Sequence, residues 1–201
     1  NKSFIIKIIL LCLVTIKVSA IEKVILFGDS LMAGYGLPNE QHLSVVLQNS
    51  LETEGYNIEI VNGSVSGSTS SGGLNIAEWT LSESNIDLMI LCLGANDMLR
   101  GINPKETKNN LEEIIKIAKN KNIKVIIAGM IAPTSYGSNY KKSFDKIFYD
   151  LSKKYKLQLI PFLLEGVAQK PEFNLSDGMH PNDQGTIIIG NTLKNAILEN
   201  L

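Results

Sequence analysis

The stretch "VILFGDSLMAGYG", residues 24–36, decides the fold. It begins as an apolar, β-branched run that is typical of a buried strand, and it then breaks into the small polar triplet Gly28-Asp29-Ser30. Two more glycines follow, Gly34 and Gly36. A structural interpretation makes the triplet a strand-to-helix turn in which Asp29 or Ser30 caps the next helix. A functional interpretation makes Ser30 a nucleophile on a rigid edge.

Four further apolar runs follow, and amphipathic stretches separate them. The predicted strands are 24–27, 58–61, 88–93, 125–128 and 157–160, and the predicted helices are 42–54, 74–84, 104–120, 140–155 and 183–199. Runs that are apolar on both faces favour a parallel sheet covered by helices. The alternation of strand and helix therefore predicts one three-layer α/β/α sandwich with right-handed crossovers. We expect its ligand site at the carboxyl ends of the strands.

Residues 1–20 differ from the rest of the chain. Lys2 and Lys7 accompany an apolar run over 8–16, and small residues lead to Ala20. This pattern predicts a secretory signal peptide cleaved after Ala20, with the domain over 21–201 and a periplasmic or secreted location in a bacterium. The run is shorter than the roughly 20 residues that span a bilayer, so stable membrane insertion is not expected. An uncleaved anchor is the alternative.

The charge balance argues against a nucleic-acid partner. The chain has 19 basic and 20 acidic residues, and three of the lysines lie within residues 1–20. The remaining 16 basic and 20 acidic residues leave a net charge of −4, with Arg100 as the single arginine. A surface without a basic stripe is a poor match for phosphates. Independently of the charge, we expect a monomer that acts on a small molecule.

The chain has only two histidines, and one of them lies in a segment suited to chemistry. His42 falls at the start of a predicted helix and is expected at the surface. His180 lies in "SDGMHPNDQG", three residues after Asp177. In a turn these two positions share one side, so Asp177 can hold the Nδ1–H of an imidazole whose Nε2 accepts a proton. Asp177, His180 and Asp183 could instead bind a metal, but three ligands on one turn, without a second cluster, do not favour that.

A base and its orienting carboxylate need a nucleophile. The sequence contains no G-x-S-x-G elbow, no Walker loop and no zinc spacing, and its serines are too many for one alone to be informative. Ser30 is a candidate because it lies at the carboxyl end of the first predicted strand, where the start of a following helix would offer N–H groups to an oxyanion. Gly67, in the loop after the second strand, would let the backbone approach a substrate oxygen. Asn96, after the third strand, could donate an amide N–H, although an Asn96-Asp97 pair alone is typical of a turn or helix cap.

Four segments together resemble the SGNH hydrolases, also called the GDSL family. The segments are "FGDSLMAGYG", "GSVSGSTSSGG", "LGANDMLRG" and "DGMHPND", and the resemblance covers residues 22–201, most strongly to the periplasmic branch of thioesterases, lysophospholipases and arylesterases. It implies a flavodoxin-like fold with a five-stranded parallel sheet. It also implies that Ser30 is the nucleophile, His180 the general base and then acid, and Asp177 its orienting partner. The backbone N–H groups of Ser30 and Gly67 and the side chain of Asn96 would form the oxyanion hole.

The resemblance implies hydrolysis of acyl esters or thioesters through an acyl-enzyme, without a metal or other cofactor. Apolar residues near the expected site could form a groove for an acyl chain, and the alternative is that several of them pack the core or support loops: Leu31, Met32, Tyr35, Leu37, Met98, Leu99 and Met179. The alternatives are a non-catalytic exported protein that binds acyl groups or carbohydrates, and a carbohydrate deacetylase. Aromatic residues make up only 6% of the chain, which offers few platforms for sugar stacking.

Overall fold

The strands form a single parallel sheet. A computed structural model describes residues 21–201. Within that range the strands are β1 (Lys23–Gly28), β2 (Glu59–Asn62), β3 (Leu88–Cys92), β4 (Lys124–Ala128) and β5 (Gln158–Ile160). They lie in the order β2-β1-β3-β4-β5, and every neighbouring pair is parallel. The predicted five-stranded parallel sheet is therefore confirmed. The predicted signal peptide falls outside the described residues.

Helices cover both faces of this sheet. In the described part of the chain they are α1 (Ser30–Ala33), α2 (Leu43–Thr53), α3 (Ser70–Thr80), α4 (Ala95–Leu99), α5 (Pro104–Asn120), α6 (Ser138–Tyr155) and α7 (Asp183–Leu198). On one face α2 packs on α7, and on the other α5 packs on both α3 and α6. This confirms the three-layer sandwich. Among residues 21–201, no helix combines the length and apolarity that a membrane crossing requires.

The strand order brings two particular loops together. The chain moves from β1 to β2 in one direction and then returns past β1 to β3, so β1 and β3 are neighbours at the point where the order reverses. Gly28 at the end of β1 pairs with Cys92 at the end of β3. Loops that leave the sheet at such a point diverge and open a crevice, the usual ligand site of this fold. The segments that carry Ser30 and Asn96 are these two loops.

The predicted strands agree with the observed ones to within one residue at each end, but one prediction about them is wrong. β2 is not covered on both faces, because it lies at the edge of the sheet and its first and last residues, Glu59 and Asn62, are exposed. By contrast, every residue of β3 is buried. The edge position has no counterpart in the local sequence of β2, since it depends on which strands pair.

The helix predicted over 74–84 begins four residues earlier in the structure, because α3 begins at Ser70. The Thr69 side chain accepts a hydrogen bond from the Gly72 N–H and so caps the earlier start. Glycine disfavours a helix interior, but Gly73 is required here for packing, because a Cβ at this position would lie 2.3 Å from Cδ1 of Leu93. Tertiary contact and capping outweigh helix propensity at this site.

The close packing around a glycine in α7 predicts that a substitution there lowers stability. A Cβ on Gly185 would lie 2.2 Å from the carbonyl oxygen of Phe173, a backbone atom that cannot rotate away. We expect Gly185→Ala to lower the free energy of unfolding by about 1–3 kcal/mol, the usual cost of overpacking. Urea denaturation measures this change.

Gly190, on the same helix, provides the matched control. A Cβ there would meet Cγ1 of Val46 at 3.4 Å and Cδ1 of Leu43 at 3.8 Å, both ordinary contacts, so Gly190→Ala should be neutral or stabilising by up to about 1 kcal/mol through helix propensity. Equal effects of the two substitutions would contradict the packing account.

Candidate active site

The turn from β1 into α1 explains the Gly-Asp-Ser triplet. At Gly28 a Cβ would lie 2.6 Å from the carbonyl oxygen of Cys92, so no larger residue fits beside β3. Asp29 is the N-cap of α1, and its carboxylate accepts a hydrogen bond from the Leu31 N–H at 3.1 Å. Ser30 is the first residue of α1. The structural and the functional interpretations of the triplet are thus compatible, since Asp29 caps the helix and Ser30 stands just beyond the carboxyl end of β1.

The structure brings together three of the residues predicted from the sequence. His180 Nε2 lies 3.0 Å from Ser30 Oγ, across a separation of 150 residues. On the other side of the ring, His180 Nδ1 lies 2.6 Å from Asp177 Oδ2. The imidazole thus bridges a hydroxyl and a carboxylate, one at each nitrogen. This chain of hydrogen bonds can move a proton from the serine to the imidazole while the carboxylate fixes the ring.

A tight local turn holds the Asp177 carboxylate in place. Its Oδ1 accepts hydrogen bonds from the backbone N–H groups of His180, at 3.0 Å, and Met179, at 2.9 Å. The His180 backbone N–H is the main cause that lowers the pKa of Asp177 to about 2, and the imidazole adds to it. The carboxyl group is therefore ionised at neutral pH, as a partner of an imidazole that gains a proton must be.

Asn96 is linked to the Ser30 segment by a second carboxylate. The Nδ2 group of Asn96 donates to Oδ2 of Asp29 at 3.3 Å and to the carbonyl oxygen of Ser68 at 3.1 Å. Asp29 is fully buried, and burial raises the pKa of its carboxyl group to about 6. One buried carboxylate therefore sets both the first turn of α1 and the orientation of the Asn96 amide.

Asp97 joins the loops that follow β2 and β3. It is buried and accepts hydrogen bonds from the backbone N–H of Ser70, at 2.7 Å, from the Ser70 hydroxyl, and from the Thr107 hydroxyl, at 3.0 Å. Asn96 and Asp97 lie inside the short helix α4, whose N-cap is Gly94. The pair thus lies within a helix, and its two side chains bond to different loops rather than capping their own backbone.

Gly67 lies beside these groups but does not line the cavity next to Ser30. Its carbonyl oxygen accepts a hydrogen bond from the Arg100 guanidinium at 3.0 Å, and the next carbonyl, that of Ser68, is held by Asn96. Its φ of +78° lies in the left-handed region, and no other atom lies within 4 Å of a Cβ built there. Glycine is required at this position by the backbone conformation.

A cavity of about 810 Å³ opens next to Ser30, Asn96 and His180. Four of the apolar residues expected in an acyl groove do line it: Leu31, Met98, Leu99 and Met179. The other three do not. Met32 is completely buried in the core, Tyr35 lies against the ring of His180, and Leu37 is absent from the lining. Ile131 and Leu164, from loops after β4 and β5, complete the apolar wall and were missed from the sequence.

Sequence reasoning missed the roles of Asp29 and Asp97. Their only local signal is an acidic residue just after a buried strand, and a cap explains that equally well. Within residues 21–201, no three histidine, cysteine or acidic side chains lie close enough together to hold a metal ion. Asp177 and His180 therefore do not form a ligand cluster with Asp183.

The buried carboxyl group of Asp29 predicts an unusual dependence of stability on pH. Its pKa is about 6 in the folded chain against 3.8 for the free residue, so between these values the folded state binds more protons. Lowering the pH from 7.5 to 5 should therefore stabilise the wild type relative to Asp29→Asn, by about 1.4 kcal/mol at 1.36 kcal/mol per pKa unit. Urea denaturation of both proteins at both pH values measures the difference.

Glu112→Gln is the control for this measurement. The pKa of Glu112 is lowered by hydrogen bonds from Lys154 and Tyr155, neither of which changes its protonation between pH 7.5 and pH 5, so lowering the pH should not stabilise the wild type relative to this variant. A difference between wild type and Asp29→Asn that is equal at pH 7.5 and pH 5 would contradict the assignment of a raised pKa to Asp29.

Comparison with known proteins places this geometry in a family. Residues 26–186 match the model of the GDSL-like Lipase/Acylhydrolase family. The chain is 38% identical over 165 residues to an arylesterase of Vibrio mimicus, covering 82% of each protein. It is 32% identical over 172 residues to thioesterase 1/protease 1/lysophospholipase L1 of Escherichia coli K12, covering 86% of this chain and 81% of that protein. The crystal structure of TesA superposes with a TM-score of 0.84 at 32% identity, over 90% of this chain and 100% of that one. The chain therefore belongs to the GDSL-like lipase and acylhydrolase family, the SGNH hydrolases.

Proposed function

We propose that this SGNH-type serine esterase hydrolyses acyl esters with Ser30 as nucleophile, His180 as general base and then acid, and Asp177 as the carboxylate that orients the imidazole. The observation that carries the proposal is the pair of distances at the imidazole, 3.0 Å from Nε2 to Ser30 Oγ and 2.6 Å from Nδ1 to Asp177 Oδ2. Both lie in the range over which a proton can be transferred directly. The alternative of a non-catalytic binding protein has no support, because the relatives are named as esterases and thioesterases and the Ser30 hydroxyl lies next to the imidazole.

The proposed reaction has two halves. His180 Nε2 takes the proton of Ser30 as Oγ bonds to the substrate carbonyl carbon, and the protonated imidazole then gives this proton to the leaving alcohol or thiol. In the second half, water loses a proton to Nε2 as its oxygen bonds to the acyl carbon. The bond from this carbon to Ser30 Oγ then breaks, the imidazolium returns the proton to Oγ, and the acid is released. Asp177 remains ionised throughout and stabilises the imidazolium, which fits its low pKa.

The oxyanion of the tetrahedral intermediate would be held by the backbone N–H groups of Ser30 and Gly67 and by the Asn96 amide. Both hydrogens of the Asn96 amide are engaged in the free protein, by Asp29 at 3.3 Å and by Ser68 at 3.1 Å. The oxyanion must therefore share one of them. The bond to Asp29 is the longer of the two, so it is the one expected to yield as negative charge develops on the substrate.

We propose an apolar acyl chain as the group that occupies the cavity. Met98, Leu99, Ile131 and Leu164 present an apolar wall next to Ser30, which suits an alkyl chain attached to the reacting carbonyl. The names of two relatives, arylesterase and thioesterase 1/protease 1/lysophospholipase L1, include hydrolysis of esters and thioesters. Carbohydrate deacetylation is less well supported, because Phe162 is the only aromatic side chain of the described residues, apart from the His180 ring, that lines the cavity.

We also propose that the chain is exported and cleaved after Ala20, as the composition of residues 1–20 indicates. If the intact mass of the exported protein corresponded to a chain that still contains residues 1–20, this proposal would be contradicted. The absence of a nucleic-acid partner stays a prediction from the charge balance, and the monomeric state stays a prediction.

Removal of the nucleophile and of the amide donor should have effects of different size. Ser30→Ala should abolish nearly all hydrolysis of p-nitrophenyl butyrate, because it removes the hydroxyl that His180 Nε2 would deprotonate. Asn96→Ala should lower kcat by about 10²–10³, the usual loss of one oxyanion donor. Steady-state kinetics, with circular dichroism to verify folding, measure both. Hydrolysis by Ser30→Ala at the wild-type rate would overturn the proposed mechanism.

The acyl-chain proposal predicts a change that depends on chain length. Leu99 lines the cavity and is half exposed, so Leu99→Gln should not disturb the core. We expect it to lower kcat/KM roughly tenfold for p-nitrophenyl octanoate, since contact with one or two methylenes is worth ~1–3 kcal/mol, and to leave p-nitrophenyl acetate nearly unchanged.

Ile187→Gln is the matched control for Leu99→Gln, because Ile187 is equally exposed but lies on α7 and does not line the cavity. An equal loss for acetate and octanoate in Leu99→Gln would argue against an acyl chain at this wall.

A further inference from the structure

Tyr35 is an exposed aromatic residue held in a defined position. It lies between Gly34, with φ of +85°, and Gly36, with φ of +75°. Its backbone N–H donates to the carbonyl oxygen of Ser30 at 3.3 Å, so the chain turns back over α1 directly after the serine. Tyr35 is nevertheless 53% exposed, so burial of apolar area does not account for its conformation. The two glycines of the opening motif thus place this ring next to the active site.

The Tyr35 ring contacts the face of the His180 imidazole. The ring centroids are 4.4 Å apart and the planes are inclined by 38°. Both nitrogens of the imidazole are occupied in the ring plane, by Ser30 and Asp177. The Tyr35 ring therefore packs against the imidazole without competing for either nitrogen.

Resting on the proposed function, we propose that Tyr35 is a positioning residue that holds the His180 ring and stabilises its protonated form. The face of an aromatic ring attracts a cation. The imidazole is neutral before the serine attacks and carries a positive charge in the transition state, so the contact strengthens as the reaction proceeds. An interaction that is stronger in the transition state than in the ground state raises kcat.

Two carboxylates face the same imidazole and also favour its protonated form. Asp177 bonds to Nδ1, and the buried Asp29 acts on the ring through its charge. The Tyr35 ring is neutral and adds to them without a hydrogen bond. Its contribution should therefore be preserved by phenylalanine and lost with an aliphatic side chain, which separates it from any role of the Tyr35 hydroxyl.

The first test compares Tyr35→Phe with Tyr35→Leu on p-nitrophenyl acetate, whose short acyl group makes the least contact with the cavity. A cation–π contact at an exposed site corresponds to a rate effect of about two- to fivefold. We expect Tyr35→Leu to lower kcat by that factor with little change in KM, and Tyr35→Phe to remain within twofold of the wild type. Tyr149→Leu, an equally exposed tyrosine on α6, should have no effect.

The pH dependence of kcat/KM provides a second test, because a merely structural role of Tyr35 would not shift it. If Tyr35 stabilises the imidazolium, its loss favours the neutral base, so the acid limb of the kcat/KM profile should shift to lower pH by about half a unit in Tyr35→Leu. Tyr35→Phe should keep the limb in place. A loss of kcat that is equal in both variants, a change in KM alone, or an acid limb that does not move in Tyr35→Leu would each overturn the proposal.

Nuclear magnetic resonance can observe the ring directly, because His42 and His180 are the only histidines. The midpoint of the His180 titration should fall in Tyr35→Leu. His42 is an internal control for the loop, since its ring packs against Gly34 and its Nε2 lies 3.1 Å from the Leu37 carbonyl oxygen. Its signals should be the same in both variants. An inactive Ser30→Ala combined with an unshifted His180 midpoint would overturn only the role of Tyr35, whereas an active Ser30→Ala would overturn the proposed function.

Discussion

The arrangement of the site depends on two buried carboxylates that bind loops from three neighbouring strands. Asp97 fixes the start of α3 to α4 and α5 through Ser70 and Thr107. Asp29 fixes the first turn of α1 and the Asn96 amide. An isolated buried charge is costly, so each carboxylate must be supplied with donors. The loops that supply these donors are therefore held in fixed positions relative to one another, and Ser30 and Asn96 are held with the loops.

The two halves of the proposed catalytic apparatus are held in different ways. Ser30 and Asn96 belong to segments that leave the middle of the sheet and are anchored by buried groups. Asp177 and His180 belong to a partly exposed turn that supports itself, since the carboxylate accepts two backbone N–H bonds within three residues. The Leu175 N–H, bonded to the His180 carbonyl oxygen at 2.8 Å, closes this turn. A rigid nucleophile thus faces a base carried on a short, locally stabilised loop, and Tyr35 covers the face of the ring.

Much of the fold follows from periodicity and from end signals in the sequence. The helix over 104–120 was predicted with its observed bounds, because Pro104 marks its first turn and its apolar positions recur at helical spacing. The start of α3 was misplaced because the Gly72-Gly73 pair lowers helix propensity, while the contact with Leu93 that requires a small residue is tertiary. In the same way, the edge position of β2 follows from strand order rather than from its own residues.

The candidate site was predictable where a motif carries it and not where contacts between loops create it. Ser30, Asp177 and His180 could be proposed because a polar triplet ends a strand and a carboxylate precedes a histidine by three positions. The roles of Asp29, Asp97 and Tyr35 arise from contacts with residues up to 145 positions away along the chain, from Tyr35 to His180. Local patterns contain no information on such contacts.

The central claim is that His180 activates Ser30 from a position 150 residues further along the chain. Peptide mass spectrometry after treatment with a fluorophosphonate tests it directly, since only an activated serine reacts at a useful rate. The account predicts a single adduct on Ser30 that disappears in His180→Ala. An adduct on another residue, or labelling of Ser30 that persists at the same rate without His180, would contradict it.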